Sequence, residues 1–317
     1  MGDSKICELI KFNYGITTYY ISKIKLLSMN KVYKIITNKG EFILKIYPKS
    51  SIDRAKKSME TQLFVHNMLE ITPKVILNCN KQLITETSFG YVTLQEFVIG
   101  HHNFDSSLSL VEKASRDLFT LHEILKLIPH EQRKPLYKSN KEIREEINFA
   151  KNILLASEKD NRKNFYKLFF KLLNIRSQII DKNDIAYSPK YFQVIHGDIR
   201  PNNLIIDGDR LTFIDFDFSG NSDLLVEVCR AAILLSNFDL NKTILFIKKY
   251  FENNQKYMDI TYVFENMLAY LLQSNFPINN YLIIDEEYVE EILKERIKLI
   301  EFCCNILGIR GEENFYC

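Results

Sequence analysis

Between Val194 and Phe218 the chain reads VIHGDIRPNNLIIDGDRLTFIDFDF, and no other stretch restricts the possible folds as much. Two apolar runs, Leu204-Ile205-Ile206 and Leu211-Thr212-Phe213-Ile214, flank Asp207-Gly208-Asp209, the composition of a β-hairpin and its turn. His196-Gly197-Asp198 precedes the first run, Asn203 follows Asp198 by five residues, and Ile214-Asp215-Phe216-Asp217 closes the second run. The hairpin therefore delivers three oxygen-bearing side chains, Asp198, Asn203 and Asp215, to one small region.

Turn formation explains Asp207-Gly208-Asp209 and nothing before it. Phosphoryl transfer needs the whole grouping: a carboxylate to orient and deprotonate an attacking hydroxyl, and hard oxygen ligands to hold Mg²⁺ on the phosphates. Asp198 suits the first task. Asn203 and Asp215 suit the second, because Mg²⁺ is held by one or two protein oxygens together with phosphate and water.

These segments resemble the catalytic and metal motifs of the aminoglycoside phosphotransferase and choline kinase superfamily, small-molecule relatives of the protein kinases. The resemblance is sharp in this stretch and implies an α+β, bilobal, protein-kinase-like fold over nearly the whole chain, with a small β-rich N-terminal lobe and a larger helical C-terminal lobe. Protein kinases carry His-Arg-Asp-Leu-x-x-x-Asn and Asp-Phe-Gly. Gly197 at the place of that Arg, Asp217 at the place of that Gly, and the lack of an Ala-Pro-Glu signature point to the small-molecule branch.

At 317 residues and 46% hydrophobic content the chain is long enough for two lobes with their own cores. Lys and Arg number 42 against 40 Asp and Glu, a net of +2, which argues against nucleic acid or a membrane surface as partner. Cys7, Cys79, Cys229, Cys303, Cys304 and Cys317 form no Cys-x-x-Cys pair, so free thiols in a reducing cytosol are expected rather than a zinc site or disulfides. Met1-Gly2 is a poor match to a myristoylation signal because Ile6 stands where Ser or Thr is required. With no apolar run of spanning length, a cytoplasmic enzyme is expected.

Residues 7–12 are expected to form a short helix, and 17–27, 31–37 and 41–47 three strands, the last two joined at Asn38-Lys39-Gly40. A helix is predicted over 52–70, with further strands at 74–77 and 90–98. From Gly100 the period changes: Val111, Ala114, Leu118, Leu121 and Leu125 follow the stripe of a buried helix. Helices are predicted at 141–157, 161–181, 224–236, 242–253, 260–273 and 285–307. Residues 1–97 then form the nucleotide-binding lobe and 98–317 the helical lobe with catalytic loop and acceptor site, with Gly100 relaxing the connector.

Lys45 interrupts the apolar run Glu41-Phe42-Ile43-Leu44-Lys45-Ile46-Tyr47. Pointing inward it needs an anion; on an edge strand it would extend into solvent. The resemblance assigns Lys45 to the α- and β-phosphates and Glu60 to orienting it. The phosphate-covering loop falls at 27–33 and holds no glycine, so Ser28, Asn30 or their backbone N–H groups are the expected contacts, an ordinary turn being the alternative. Backbone groups of Gln95, Glu96, Phe97 and Val98 are expected to meet the base of ATP or GTP. Arg200 either stabilises charge on the γ-phosphoryl group or pairs with an acid such as Asp217. His196 is expected to orient the loop backbone, and Asp223 to cap a helix, where the resemblance adds a bracing role for the catalytic loop.

On the acceptor side, Asp285-Glu286-Glu287 with Glu290-Glu291 either attracts a cationic acceptor or forms a solvated first helical turn. The expected reaction moves a nucleotide γ-phosphate to a hydroxyl of a small molecule, an antibiotic being the leading candidate. The alternatives are a metabolic kinase of the homoserine, choline, methylthioribose or sugar type, and a nucleotide-binding pseudokinase. Against the last, Lys45, Asp198, Asn203 and Asp215 are all present.

Overall fold

The computed structural model describes residues 2–24, 30–129, 138–156, 163–182, 191–252, 258–273 and 286–309. It opens with helix α1 (Asp3–Tyr14) and an antiparallel sheet built from β1 (Thr18–Ile24), β2 (Lys31–Thr37), β3 (Gly40–Tyr47), β4 (Val75–Ile76), β5 (Thr85–Thr87) and β6 (Gly90–Glu96). The strand order is β1-β2-β3-β6-β4, with β5 also paired to β6. Helix α2 (Ile52–Met68) crosses between β3 and β4.

Strand β3 shows why one lysine sits in an apolar run. Side chains alternate between the two faces of a strand, and Phe42, Leu44 and Ile46 pack into one core with Ile6 and Ile10 of α1, Ile35 of β2 and Leu94 of β6. Lys45 and Tyr47 therefore share the other face. Because β3 lies between β2 and β6 and Lys45 is 7% exposed, the edge-strand reading of this lysine is overturned.

The helical part holds α3 (Leu108–Leu125), α4 (Asn140–Ala156), α5 (Lys163–Lys182), α6 (Leu224–Leu235), α7 (Leu240–Glu252), α8 (Ile260–Gln273) and α9 (Glu286–Leu307). The stripe Val111, Ala114, Leu118, Leu121 and Leu125 is buried, in one core with Phe169, Val228, Phe246, Phe264 and Ile300. Inserted between α5 and α6 are β7 (Phe192–Ile195), the hairpin β8 (Leu204–Asp207) and β9 (Arg210–Phe213), and β10 (Gly220–Asp223). Strand β10 pairs antiparallel with β7, setting Gly220 opposite Ile195. Both ends of the motif-bearing segment are thus tied together just before His196.

After β6 the connector does not hang free. The His101 N–H donates to the Ile206 carbonyl at 3.0 Å, and the His101 carbonyl accepts from the Ile206 N–H at 2.9 Å. Gly100 has φ +144°, and a Cβ there would lie 2.5 Å from the Ile206 carbonyl oxygen. Its glycine is required by close backbone approach, a correction to the expectation that it slackens the connector.

Candidate active site

The loop between β7 and β8 begins with His196, which is fully buried. Its Nδ1 accepts from the Asp198 N–H at 3.3 Å, so its Nε2–H is the donor to the Ile214 carbonyl at 3.1 Å. The imidazole is neutral: burial pushes its proton affinity down, against the opposing pull of Glu227, Asp198 and Asp215. Both ring nitrogens are thus bonded to backbone groups. Gly197 has φ +90°, and a Cβ would fall 2.1 Å from the Phe218 carbonyl oxygen, so the loop accepts no side chain here.

Asp198 and Asn203 come together as expected. Asn203 Nδ2 donates to both the Asp198 carbonyl and Asp198 Oδ2 at 2.8 Å, and the Ile214 N–H closes onto the Asn203 carbonyl at 3.0 Å. Asp215 follows with φ +68°, a left-handed conformation costly for a non-glycine residue and concentrated at functional sites. Lys45 Nζ lies 2.7 Å from Asp215 Oδ1 and 3.5 Å from Asp217 Oδ1. Burial opposes the ammonium charge, but Tyr47, Asp215 and Asp217 outweigh it and raise the Lys45 proton affinity. For Asp215, burial is likewise outweighed, chiefly by Lys45, and its carboxyl is held below the usual range.

Glu60 does not orient Lys45. It is exposed and faces Lys56 at 3.9 Å, because its position on α2 turns it away from the sheet. Ser58, two residues earlier, faces the site and donates to Asp217 at 3.0 Å. Ser28 lies outside the described residues. Asn30 donates through Nδ2 to Asp217 Oδ2 at 2.7 Å. Tyr47 donates to Asp217 Oδ1 at 2.7 Å.

Arg200 pairs with an acid, but with Asp198 rather than Asp217. Its Nε and Nη2 lie 2.8 and 2.7 Å from Asp198 Oδ1, and its Nη1 is 3.3 Å from Glu295 Oε2 on α9. Glu286, Glu287 and Glu291 at the start of α9 are exposed, Glu290 pairs with Lys294 at 2.9 Å, and Asp285 lies outside the described residues. Glu295 of α9, outside the acidic cluster, reaches Arg200 of the loop between β7 and β8. No cue in the sequence distinguishes Glu295 from its charged neighbours.

Glu227 of α6 is a second residue that sequence reasoning missed. It is 5% exposed and accepts from the backbone N–H groups of His196 at 3.0 Å and Gly197 at 2.5 Å. Its Oε2 also meets His122 Nε2 at 2.8 Å, and His122 Nδ1 meets the Tyr250 hydroxyl at 2.6 Å. Burial alone would push the Glu227 carboxyl up; the His122 hydrogen bond and the neighbouring imidazoles outweigh it and hold it low. Asp223 caps α6 by accepting from the Leu225 N–H at 2.8 Å, as composition indicated. A lone Glu inside the apolar run Leu224–Leu235 was the available signal for Glu227, since a buried carboxylate requires partners.

At the end of β6, the Glu96 and Phe97 N–H groups are taken by the Lys74 and Glu41 carbonyls at 2.9 and 3.0 Å. Those two donors are therefore not available to a base. No described helix is long and apolar enough to cross a membrane.

Solved structures share this fold. Spectinomycin phosphotransferase, in complex with ADP and spectinomycin, superposes with a TM-score of 0.62 at 13% identity, covering 96% of this chain and 98% of that one. Choline kinase from Cryptosporidium parvum gives 0.59 at 13% identity with 100% of both chains covered. Amicoumacin kinase, in complex with AMP-PNP, Ca²⁺ and Ami, gives 0.56 at 12% identity over 95% and 94%. At such identities the likeness establishes the bilobal, protein-kinase-like fold. A curated relative, an uncharacterised protein of the hydrogenase 1 5′ region in Clostridium pasteurianum, is 30% identical over 103 residues, 29% of this chain but only 19% of its own length. A family model matches residues 23–262, which takes in β2, β3 and the whole loop from His196 to Asp217, and on that match the chain belongs to the phosphotransferase enzyme family.

Proposed function

We propose that the protein transfers the γ-phosphoryl group of a nucleoside triphosphate to a hydroxyl of a small molecule, with residues 1–97 binding the nucleotide and 98–317 supplying the catalytic loop and acceptor site. The observation that carries this reading is the convergence of Lys45, Asp198, Asn203 and Asp215. A buried lysine on a carboxylate, a loop carboxylate fixed by an amide, and two hard oxygen donors are the parts that positioning and charge stabilisation of a phosphoryl group require.

Asp198 accepts the proton of the attacking hydroxyl at Oδ2, while the acceptor oxygen bonds to the γ-phosphorus and the bridging oxygen leaves with the nucleoside diphosphate. Lys45 binds the α- and β-phosphates, and Arg200, tied to Asp198 and Glu295, holds the loop carboxylate in place. The Glu96 carbonyl and Val98 N–H are the backbone groups offered to the base, and Asn30, bound to Asp217, belongs to the segment assigned to the phosphates. The donor set fits Mg²⁺: Asn203 has committed its amide nitrogen to Asp198, which leaves its carbonyl oxygen, and Asp215 has one oxygen on Lys45, which leaves the other. When bound, the ion would neutralise phosphate charge.

ATP serves as donor in this reading, with GTP the alternative, and the acceptor is an antibiotic or an amino alcohol of the kind the structural relatives bind. The test is nucleotide consumption with spectinomycin-like, amicoumacin-like and choline-like acceptors, followed by mass spectrometry for a phosphate adduct. Asp198→Ala is expected to lower kcat by about a hundredfold or more with nucleotide affinity unchanged. Tight nucleotide binding without turnover on any acceptor would favour a pseudokinase instead.

A further inference from the structure

Asp198 is held from a side that the phosphotransfer reading does not use. Arg230, on α6, lies 3.0 Å from Asp198 Oδ1 through Nη1 and 2.9 Å from Glu295 Oε1 through Nη2. The same Nη1 reaches the Gly197 carbonyl at 3.4 Å. Arg200 repeats the pattern from the loop itself, with Asp198 Oδ1 on one side and Glu295 Oε2 on the other. Two guanidinium groups and two carboxylates thus close a ring, Asp198–Arg230–Glu295–Arg200, whose charges cancel.

Burying a guanidinium is costly without partners, and here each has two. The ring also settles which oxygen of Asp198 is occupied. An ionised carboxylate offers about four acceptor sites. Oδ1 already takes Arg200 Nε at 2.8 Å, Arg200 Nη2 at 2.7 Å and Arg230 Nη1 at 3.0 Å, whereas among the described residues Oδ2 takes only Asn203 Nδ2 at 2.8 Å. The side chain is pinned through one oxygen and keeps acceptor capacity on the other.

We propose that Arg230 and Glu295 are positioning residues for the transfer: together with Arg200 they lock the Asp198 carboxylate so that Oδ2 faces the acceptor hydroxyl, which makes α9 part of the catalytic apparatus. The inference rests on the phosphotransfer reading. Neither residue touches the reacting atoms. Glu295 acts through the arginines and Arg230 through Asp198, so their removal should reduce the rate of transfer and leave nucleotide binding alone.

The experiment measures ADP release from Mg-ATP with water as acceptor, for wild type, Arg230→Met, Arg230→Lys, Glu295→Gln and the double variant Arg230→Met/Glu295→Gln, with thermal unfolding of each. Arg230→Met and Glu295→Gln are each expected to lower kcat by about tenfold to a hundredfold, with the nucleotide KM within about twofold. Arg230→Lys should recover part of the loss, because an ammonium keeps the charge at Asp198 but lacks the fork that spans to Glu295. Because Glu295 works through Arg230 as well as Arg200, the double variant should fall short of the product of the single losses. An unchanged kcat in Glu295→Gln, a loss confined to nucleotide KM, or losses that multiply in full would overturn the proposal. Should Arg230→Met not fold, Glu295→Gln and Arg230→Lys carry the test, since both keep a polar group in place. Asp198→Ala, run alongside, separates the two claims: full activity in that variant removes the phosphotransfer reading itself.

Discussion

The Tyr47 hydroxyl donates to the carboxylate of Asp217 across 2.7 Å, joining the last residue of β3 to the turn that follows β9. Asp217 takes three further donors, from Asn30, Ser58 and Lys45, and is 9% exposed. A carboxylate this occupied, with its side chain only 6% exposed, joins the N-terminal sheet to the β8–β9 hairpin and is enclosed away from a metal. Asp217→Asn is therefore expected to destabilise the protein by about 2–3 kcal/mol, since an amide nitrogen would face donors. Chemical denaturation reads this directly, and the Mg²⁺ dependence of turnover should stay at the wild-type value.

Asp215 should behave in the opposite sense. It is the more accessible of the two carboxylates, 36% against 6% at the side chain, and it sits in a left-handed conformation that the structure retains at a cost. Asp215→Ala is expected to shift the Mg²⁺ requirement to higher concentration and to lower kcat by about a hundredfold or more. A Mg²⁺ titration that superposes on wild type would remove Asp215 from the metal site.

Glu227→Ala should unfold the catalytic loop locally. It leaves His122 and the backbone N–H groups of His196 and Gly197 without their buried acceptor, and truncating one partner of a buried charged network costs about 3–5 kcal/mol. The measurement is the midpoint of urea unfolding together with kcat, both of which should fall. Asp223→Ala, which removes the cap of α6, is expected to cost about 1 kcal/mol or more.

What was legible in the sequence divides along physical lines. Elements with strong periodicity were placed closely: β2 runs from Lys31 to Thr37 and α8 from Ile260 to Gln273, the ranges that apolar spacing predicts. Strands β5 and β10 were not seen, since Thr85–Thr87 is only three residues long and Gly220–Asp223 lacks the β-branched and aromatic residues of a strand. They form because β6 and β7 present open edges to them. In the site, Lys45, Asp198, Asn203 and Asp215 were legible from spacing along one or two strands. Glu295 as a partner of Arg200 and Asp217 as a partner of Lys45 were not, because they reach them from elements 95 and 172 residues away in the chain, and one charged residue on a helix reads like another until the helices pack.

The buried neutral His196 fixes how the loop responds to acid. Burial depresses its proton affinity below the ordinary value, which is about 6.5 in an unfolded chain. Below that pH the unfolded chain binds a proton that the folded one does not, so unfolding is favoured as pH falls. The stability it contributes is complete above about pH 6.5 and is lost progressively as pH drops toward the lower folded value. Glu227 and Asp215 are also depressed, but their losses begin near the ordinary carboxylate values of about 4.3 and 3.9, so the interval from about pH 7.5 to 5.5 separates the histidine from those two carboxylates. His196→Gln keeps a donor for the Ile214 carbonyl and removes the titration. Between those two pH values the variant is expected to lose less unfolding free energy than wild type, even though it starts from a lower stability. Equal losses in the two proteins would show that His196 does not set the acid response.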